Sequence, residues 1–434
     1  MRYERNWAGN YMYQAKECHV PGTAEEVREL VSRLDQIKVL GSRHSFNAIA
    51  DTDAAHVSLE RLNGVVELDR VQHRVTVEGG IRYGELCGYL HENGYALHNL
   101  ASLPHITIAG ACATATHGSG DLNGNLATVV YGIELATGDG KLITLTRDDE
   151  DGLLAGAIVG LGALGVVTKL TLDLVPAFEI KQHVYQGLPL SKLADCFEDL
   201  FASGYSVSLF TDWKSSSFHQ VWRKSVVKPG DESIGGDPTS CYGAVLSDDN
   251  LHPVPGYAAD NCSDQRGIAG PWHERLAHFR MDFTPSAGEE LQSEYFVARK
   301  DAYAALEALD GLRDLISPLL FVTEVRTIAS DNLWLSPCFG QDSVGIHFTW
   351  KPDWERVSAA LPIIEASLEP FGARPHWGKL FAMEPAKLQE LYPKLPAFRE
   401  LVQKFDPERK FRNGFLERYI YDETPSERAE DARF

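Results

Sequence analysis

The run "GLGALGVVTKLTLDLVP", Gly160 to Pro176, begins as one motif and ends as another. Its first six residues are a literal G-x-G-x-x-G. That pattern cradles a dinucleotide pyrophosphate when a strand precedes it and a helix follows. Here Leu170, Leu172 and Leu174 alternate with Thr171 and Asp173, which is the period of a strand. No helix N-terminus is on offer to a phosphate. A doubly wound nucleotide fold therefore fails its own requirement, and no nicotinamide cofactor is expected here. The glycines are expected to let backbone pack closely against a ligand or another strand.

Upstream of this run, from about residue 20, short helices and strands alternate. "GTAEEVRELVSRL" predicts a helix with Thr23 as N-cap, Glu26 completing a capping box, and one apolar face of Val27, Leu30, Val31 and Leu34. "IKVLGS", "GVVEL", "HRVTVEGG" and "VYGIELAT" read as strands, and "YGELCGYLHENG" as a helix stopped at Gly94. Downstream, composition changes after Val175-Pro176. "AYAALEALDGLRDLI" predicts one helix, and "LLFVTEVRTIA" and "SVGIHFTWK" predict strands. The closing "DETPSERAEDARF" is a charged tail expected to fray.

The chain has 434 residues, which argues for more than one domain. Its 41 basic against 61 acidic residues give a formal charge of −20. Phosphate attraction needs clustered Lys and Arg, so nucleic acid and anionic membrane are not expected as partners. Seven scattered cysteines without a C-x-x-C argue against a zinc or dithiol site and for reduced thiols in a cytoplasmic enzyme. No metal is expected. The start, "MRYERNWAGN", has no apolar signal region, and the longest apolar run, Leu153 to Val167, is too short to span a bilayer.

Two stretches carry chemistry-bearing residues among small ones. "KVLGSRHSFN", Lys38 to Asn47, places a histidine in a polar turn just after a strand. "ASLPHITIAGACATATHGSG", Ala101 to Gly120, is built of small residues, which let backbone N–H groups approach an anion. On residues alone, that segment is equally well a structural turn. Farther on, Glu324 and Arg326 stand at i, i+2 on one strand, and His347 and Thr349 repeat the spacing on another. Two such strands make either the floor of a pocket or a surface ladder of cross-strand pairs.

The order "GSRHSFN", "LASLPHITIAGACATATHGSG", "GLGALGVVTKLTL", a large insert, then "FDPERKFRNGF" resembles the vanillyl-alcohol-oxidase-type flavoproteins. "RHSFN", "ASLPHI", "LQSEYF", "TEVRT", "IHFTW" and "HWGK" are similar to the sugar-alcohol and aldonolactone branch, and within it to the alditol (xylitol) oxidases. The resemblance implies an α+β protein with a two-part FAD-binding domain of that type (PCMH) and an α+β substrate domain carrying a large, mostly antiparallel sheet. It implies an FAD-binding domain at 1–176, a substrate (cap) domain at 177–385, and a C-terminal return to the FAD domain at 386–434.

The resemblance also implies FAD bonded covalently to His44 through the flavin 8α-methyl. Leu103 stands where some relatives carry a second, cysteine tether, so a single bond is expected. Ser42, Arg43, Ser45, Phe46 and Asn47, with Thr114, Thr116, His117, Gly118, Ser119 and Gly120, would bracket the pyrophosphate. Gly110, Gly165 and Val167 would follow the ribityl and adenine parts, and Ala101 and Ser102 would flank the flavin. Ser102, Gln292, Glu324, Arg326, Thr349 and Lys379 would bind substrate. His347 would be the base for the C1 hydroxyl, and Lys379, with Arg326, the cation near the flavin pyrimidine ring. The implied reaction is oxidation of the terminal alcohol of an open-chain polyol by hydride transfer to flavin N5, with O2 reoxidising the flavin to give H2O2. The small Ala101 suits access of O2. An aldonolactone oxidase or dehydrogenase of the same branch and a non-catalytic flavin-binding protein are the competing readings. A monomer is expected.

Overall fold

The computed structural model describes residues 5–228, 240–281 and 290–421. The charged tail thus lies outside the described residues. None of the described helices is long and apolar enough to cross a membrane. The six cysteines whose side chains are described are all free.

Three sheets organise the chain. In the first, β1 (Glu17–His19) and β2 (Ile37–Leu40) flank β3 (Ala55–Ser58), all parallel. The helix Ala24–Arg33 crosses between β1 and β2 and buries Val27 and Val31. Its N-cap is Thr23, which accepts from Glu26 N. The Glu26 carboxylate accepts from Gly22 N instead of the Thr23 N–H, so the capping box closes one residue earlier than its pattern predicts.

The second sheet is antiparallel: β4 (Val65–Asp69), β5 (Arg74–Glu78), β6 (Val130–Ala136), β7 (Leu142–Thr146) and β8 (Val166–Asp173), in the spatial order β4-β5-β8-β6-β7. β8 is the strand expected after the glycine run, and its residues alternate strictly between buried and half-buried. The glycine run is a tight turn with Leu161 and Gly162 at positive φ. A Cβ on Gly165 would lie 2.4 Å from the Ala136 carbonyl oxygen. That glycine is therefore required for close approach of two strands, and no helix follows it.

The third sheet is the largest. Its central strands are β9 (Glu179–Pro189), β10 (Ser206–Thr211), β11 (Ser217–Val226), β12 (Leu291–Ala298), β13 (Leu320–Ile328) and β14 (Ser343–Trp350), ordered β9-β11-β10-β13-β14-β12 with every neighbour antiparallel. One face packs Tyr295, Val325, Ile346 and Phe348 into a core with the helices Ala302–Asp310 and Trp354–Leu368. The single helix expected over "AYAALEALDGLRDLI" is two: it ends at Asp310, and Arg313–Ile316 forms a separate turn after Gly311. Glycine in a helix interior loses the most chain entropy, and the break falls there.

Residues 388–421 fold back onto the second sheet. Leu388, Phe398, Leu401, Phe405 and Leu416 share one core with Val75, Leu86, Ile133 and Leu172. The "FRNGF" segment fixes this return through buried Asn413. Its amide donates to the carbonyls of Ala48, Ile49 and Asp51, while its Oδ1 caps the helix Gly414–Tyr419 by accepting from Leu416 N. Asn413→Ala removes a cap and withdraws a donor from three carbonyls, of which Ala48 O keeps Asp51 N. It is expected to destabilise the fold by about 2 kcal/mol or more, read as a lower urea midpoint at unchanged slope.

Candidate active site

The polar row on the third sheet is set by register. Glu294 on β12, His347 on β14 and Glu324 on β13 lie directly opposite one another. Gln292 pairs with Thr349 on one side of this row, and Arg326 with Gly345 on the other. Strand period places all six side chains on the face away from the apolar core. That face forms part of a cavity of about 890 Å³ whose wall also includes Ser102, Lys379, His278, Glu290 and His376. Ser102, Gln292, Glu324, Arg326, His347, Thr349 and Lys379 are therefore brought to one place.

The most heavily bonded member of the row is Glu294, at its β12 end, a residue absent from the expected site. Its side chain is 1% exposed. Its Oε1 accepts from Arg326 at 2.8 Å and faces His117 Nε2 at 3.0 Å, and its Oε2 accepts from Lys379 Nζ at 2.5 Å. Burial alone would raise the Glu294 pKa, but Lys379, His117 and Arg326 outweigh it and hold the carboxyl well below its usual range. Gly345 makes the room: a Cβ there would lie 3.2 Å from both Glu294 Oε1 and His117 Cε1.

Lys379 and His347, expected to act as a separate cation and base, are one unit. Lys379 Nζ lies 2.6 Å from His347 Nδ1, and His347 Nε2 is 3.1 Å from Thr349 Oγ1. Burial, then the nearby Lys379 charge, lowers His347 to about 4, and burial also lowers Lys379 despite Glu294. Glu324 gives one oxygen to His278 Nε2 at 2.7 Å, and its other lies 3.6 Å from Arg326 Nε. The signal for Glu294 was in "LQSEYF", where it stands i+2 from Gln292. His278 comes from a loop with no periodic pattern to announce it.

The "HWGK" segment is clamped to the "RHSFN" loop. Asn47 donates to the carbonyls of Trp377 and Lys379, Phe46 N donates to Gly378 O, and Trp377 is buried with its indole N–H on Leu335 O. From this clamp the same cavity continues past His44 along Ser42, Arg43, Ser45, Phe46, Ala101, Gly110, Thr114, Thr116, His117, Gly165 and Val167. Four residues of these loops stand behind the wall instead of in it. Asn47 forms the clamp, Gly118 packs against Asn99, Ser119 donates to Val207 O, and Gly120 N donates to Thr327 O.

His44 follows β2 through Arg43, whose φ is +65°. Trp7 stacks on its ring at 4.9 Å, and its Nε2 lies 2.6 Å from His105 Nε2, so a single proton sits between the two rings. Burial, then His105, lowers His44 to about 3. Burial, then Arg82, lowers His105 to about 4. His44 Nδ1 is buried without a well-directed hydrogen bond, although the Ser42 backbone favours its protonated form. FAD fits these residues. The neutral ring nitrogen is an available nucleophile, and Gly41, Gly79, Gly80, Gly110, Gly160 and Gly162 supply a wall of bare backbone to the cavity.

The model of an FAD binding domain matches residues 18–146, and that of D-arabinono-1,4-lactone oxidase matches residues 286–419. An alditol oxidase of Streptomyces sp. is 48% identical over 414 residues, 95% of this chain and 97% of the relative. The chain belongs to the alditol oxidase family. An L-gulono-1,4-lactone dehydrogenase of Mycobacterium tuberculosis, at 27% identity over 96% of this chain and 98% of its own length, is more distant from this alditol oxidase family member. Among solved structures, cholesterol oxidase from B. sterolicum superposes with a TM-score of 0.76 at 14% identity, covering 96% of each chain. Xylooligosaccharide oxidase from Myceliophthora thermophila superposes with 0.73 at 14%, covering 98% of this chain and 94% of that one. The fold is that of the vanillyl-alcohol-oxidase-type FAD proteins, as expected from the sequence.

The depressed His347 pKa has a signed consequence. Below about 6.5 an unfolded histidine takes up a proton, while His347 in the fold stays neutral until about 4. Stability is therefore complete above about 6.5 and falls as pH drops from there toward 4. Urea midpoints measured across that window should fall less steeply for His347→Gln than for the parent protein.

Proposed function

We propose that this chain is an FAD-dependent oxidase that converts the terminal C1 alcohol of open-chain polyols, such as xylitol and sorbitol, to the aldose. The observation that carries this reading is the single polar wall of Gln292, Glu324, Arg326, His347, Thr349 and Lys379, with Ser102 on the same cavity. A polyol offers only hydroxyls, each of which needs a donor and an acceptor. The 48% identical relative, itself an alditol oxidase, supports it, and the lactone-acting relatives are more distant.

FAD, when bound, would supply the hydride acceptor and the route by which O2 is reduced to H2O2. The proton is the task of the chain. His347 accepts it at Nε2 only if Nδ1 already carries a proton, because a ring protonated at Nε2 has none to accept there. That form requires an uncharged Lys379, which burial favours. The hydroxyl proton then goes to Nε2, the Nδ1 proton passes to Nζ, and the resulting ammonium rests 2.5 Å from Glu294. The positive charge on Lys379 thus arrives only as the reaction proceeds. Glu324, Arg326 and Ser102 would hold the remaining hydroxyls.

The same reading assigns 1–176 and 386–434 to FAD binding and 177–385 to the substrate part, in line with the core shared by residues 388–421 and the second sheet. It also makes His44 Nδ1 the point of a single covalent bond to the flavin. His44→Ala should release its flavin on acid precipitation, whereas the parent protein should keep a yellow pellet. Flavin-modified peptide at any other residue would refute the assignment.

Anaerobic reduction of the bound flavin by xylitol, sorbitol and an L-gulonolactone tests the function itself. The polyols should reduce it and the lactone should not, and the reverse order would establish the lactone reading. In the same assay Lys379→Met should slow reduction by a factor of roughly a hundred or more at unchanged flavin content.

A further inference from the structure

Behind Glu324 lies a second buried cation that the reaction above does not use. Lys224, on β11, is 1% exposed. Its Nζ donates to the carbonyl oxygens of Leu276 at 2.6 Å and Ala277 at 3.2 Å, and lies 3.3 Å from His278 Nδ1. An ammonium has three N–H groups, and three acceptors surround this one. His278 is held edge-on between Phe210 and Trp222, with ring centroids at 5.6 and 5.2 Å, so its ring cannot turn over freely. Its Nε2 meets Glu324 Oε1 at 2.7 Å.

These contacts determine where the imidazole proton sits. The ammonium leaves His278 Nδ1 only the role of acceptor. The single proton of the neutral ring is then on Nε2, aimed at Glu324. Without the ammonium the proton is free to move to Nδ1, and an Nε2 lone pair would face a carboxylate oxygen at hydrogen-bond distance. Such a contact is repulsive, and Glu324, still ionised beside Arg326, would turn away.

We propose that Lys224 is a positioning residue for polyol binding: by fixing the proton of His278 on Nε2, it keeps the Glu324 carboxylate oriented toward the substrate. The proposal rests on the reading of Glu324 as a hydroxyl-binding group. The titratable and charged groups acting on Lys224 are Glu324, Cys262 and Arg275, besides His278 itself. Burial lowers Lys224 to about 7 against the pull of Glu324, so the ammonium is present below that pH and is lost as pH rises through it. Polyol binding should weaken in the same direction.

Steady-state kinetics with xylitol on the flavin-loaded enzyme test this, with melting temperature and flavin content as controls. Lys224→Met should raise KM about tenfold with kcat changed less than about threefold, and should flatten the rise of KM above pH 7. Adding His278→Gln, whose amide offers an N–H to Glu324 with no tautomer to choose, should restore most of the affinity. In a Glu324→Gln background, Lys224→Met should raise KM no further. Should Lys224→Met fail to fold, His278→Asn, which keeps the Nδ1 position but cannot reach Glu324, should show the same KM-directed loss. An unchanged KM in Lys224→Met or in His278→Asn, or a loss that adds in full to that of Glu324→Gln, would overturn the proposal. An unchanged KM in Glu324→Gln itself would overturn the hydroxyl-binding role of Glu324 and the proposal with it, while oxidation of xylitol by the parent protein would still uphold the polyol reading.

Discussion

One carboxylate, Glu294, makes the polar wall possible. A charge taken out of water at full burial is costly unless other charges and hydrogen bonds surround it. Glu294 has Arg326 and His117 on one oxygen and Lys379 on the other. The buried Arg326 guanidinium in turn needs carboxylates beside it. Glu294 also joins parts distant in sequence, since His117 lies in the small-residue segment, Arg326 on β13 and Lys379 near the clamp. Remove it, and Arg326, His117 and Lys379 each lose a buried hydrogen-bond partner at once. The rest of the site, including the neutral state of His347, depends on how that charge is shared.

Around this centre the fold separates two kinds of recognition. Toward His44 the wall is glycine, alanine and backbone, which suits a large ligand bound by shape and by N–H groups. Toward Glu324 the wall is side chains of alternating charge, which suits a small ligand rich in hydroxyls. The two meet where Asn47 joins the carbonyls of Trp377 and Lys379. The polar half of the cavity is thus shaped by the third sheet and by the loop that brings His278, and the other half by the loops around His44.

Much of this was legible in the sequence. The alternation of Leu170, Leu172 and Leu174 identified β8 and excluded a doubly wound fold, because side-chain period is local and robust. The pairs Glu324/Arg326 and His347/Thr349 announced a polar face by the same rule. What was missed had other physics behind it. Glu294 is flanked by Ser293 and Tyr295, and only the register that sets it opposite His347 reveals its charge partners. Lys224 and His278 are 54 residues apart and meet through a loop, and a loop contact has no period. The break at Gly311 was visible as a glycine, yet the apolar spacing on either side of it continued without interruption.

The clamp has a consequence for how the protein is made. Asn47 bonds across 330 and 332 residues, and Asn413 across more than 360. The wall around His44 therefore cannot close until Trp377, Lys379 and Asn413 have left the ribosome. Contacts of such long range are slow to form and form late. Closure of the cavity is accordingly late, and a chain cut before Asn413 would retain His44 but not the wall around it.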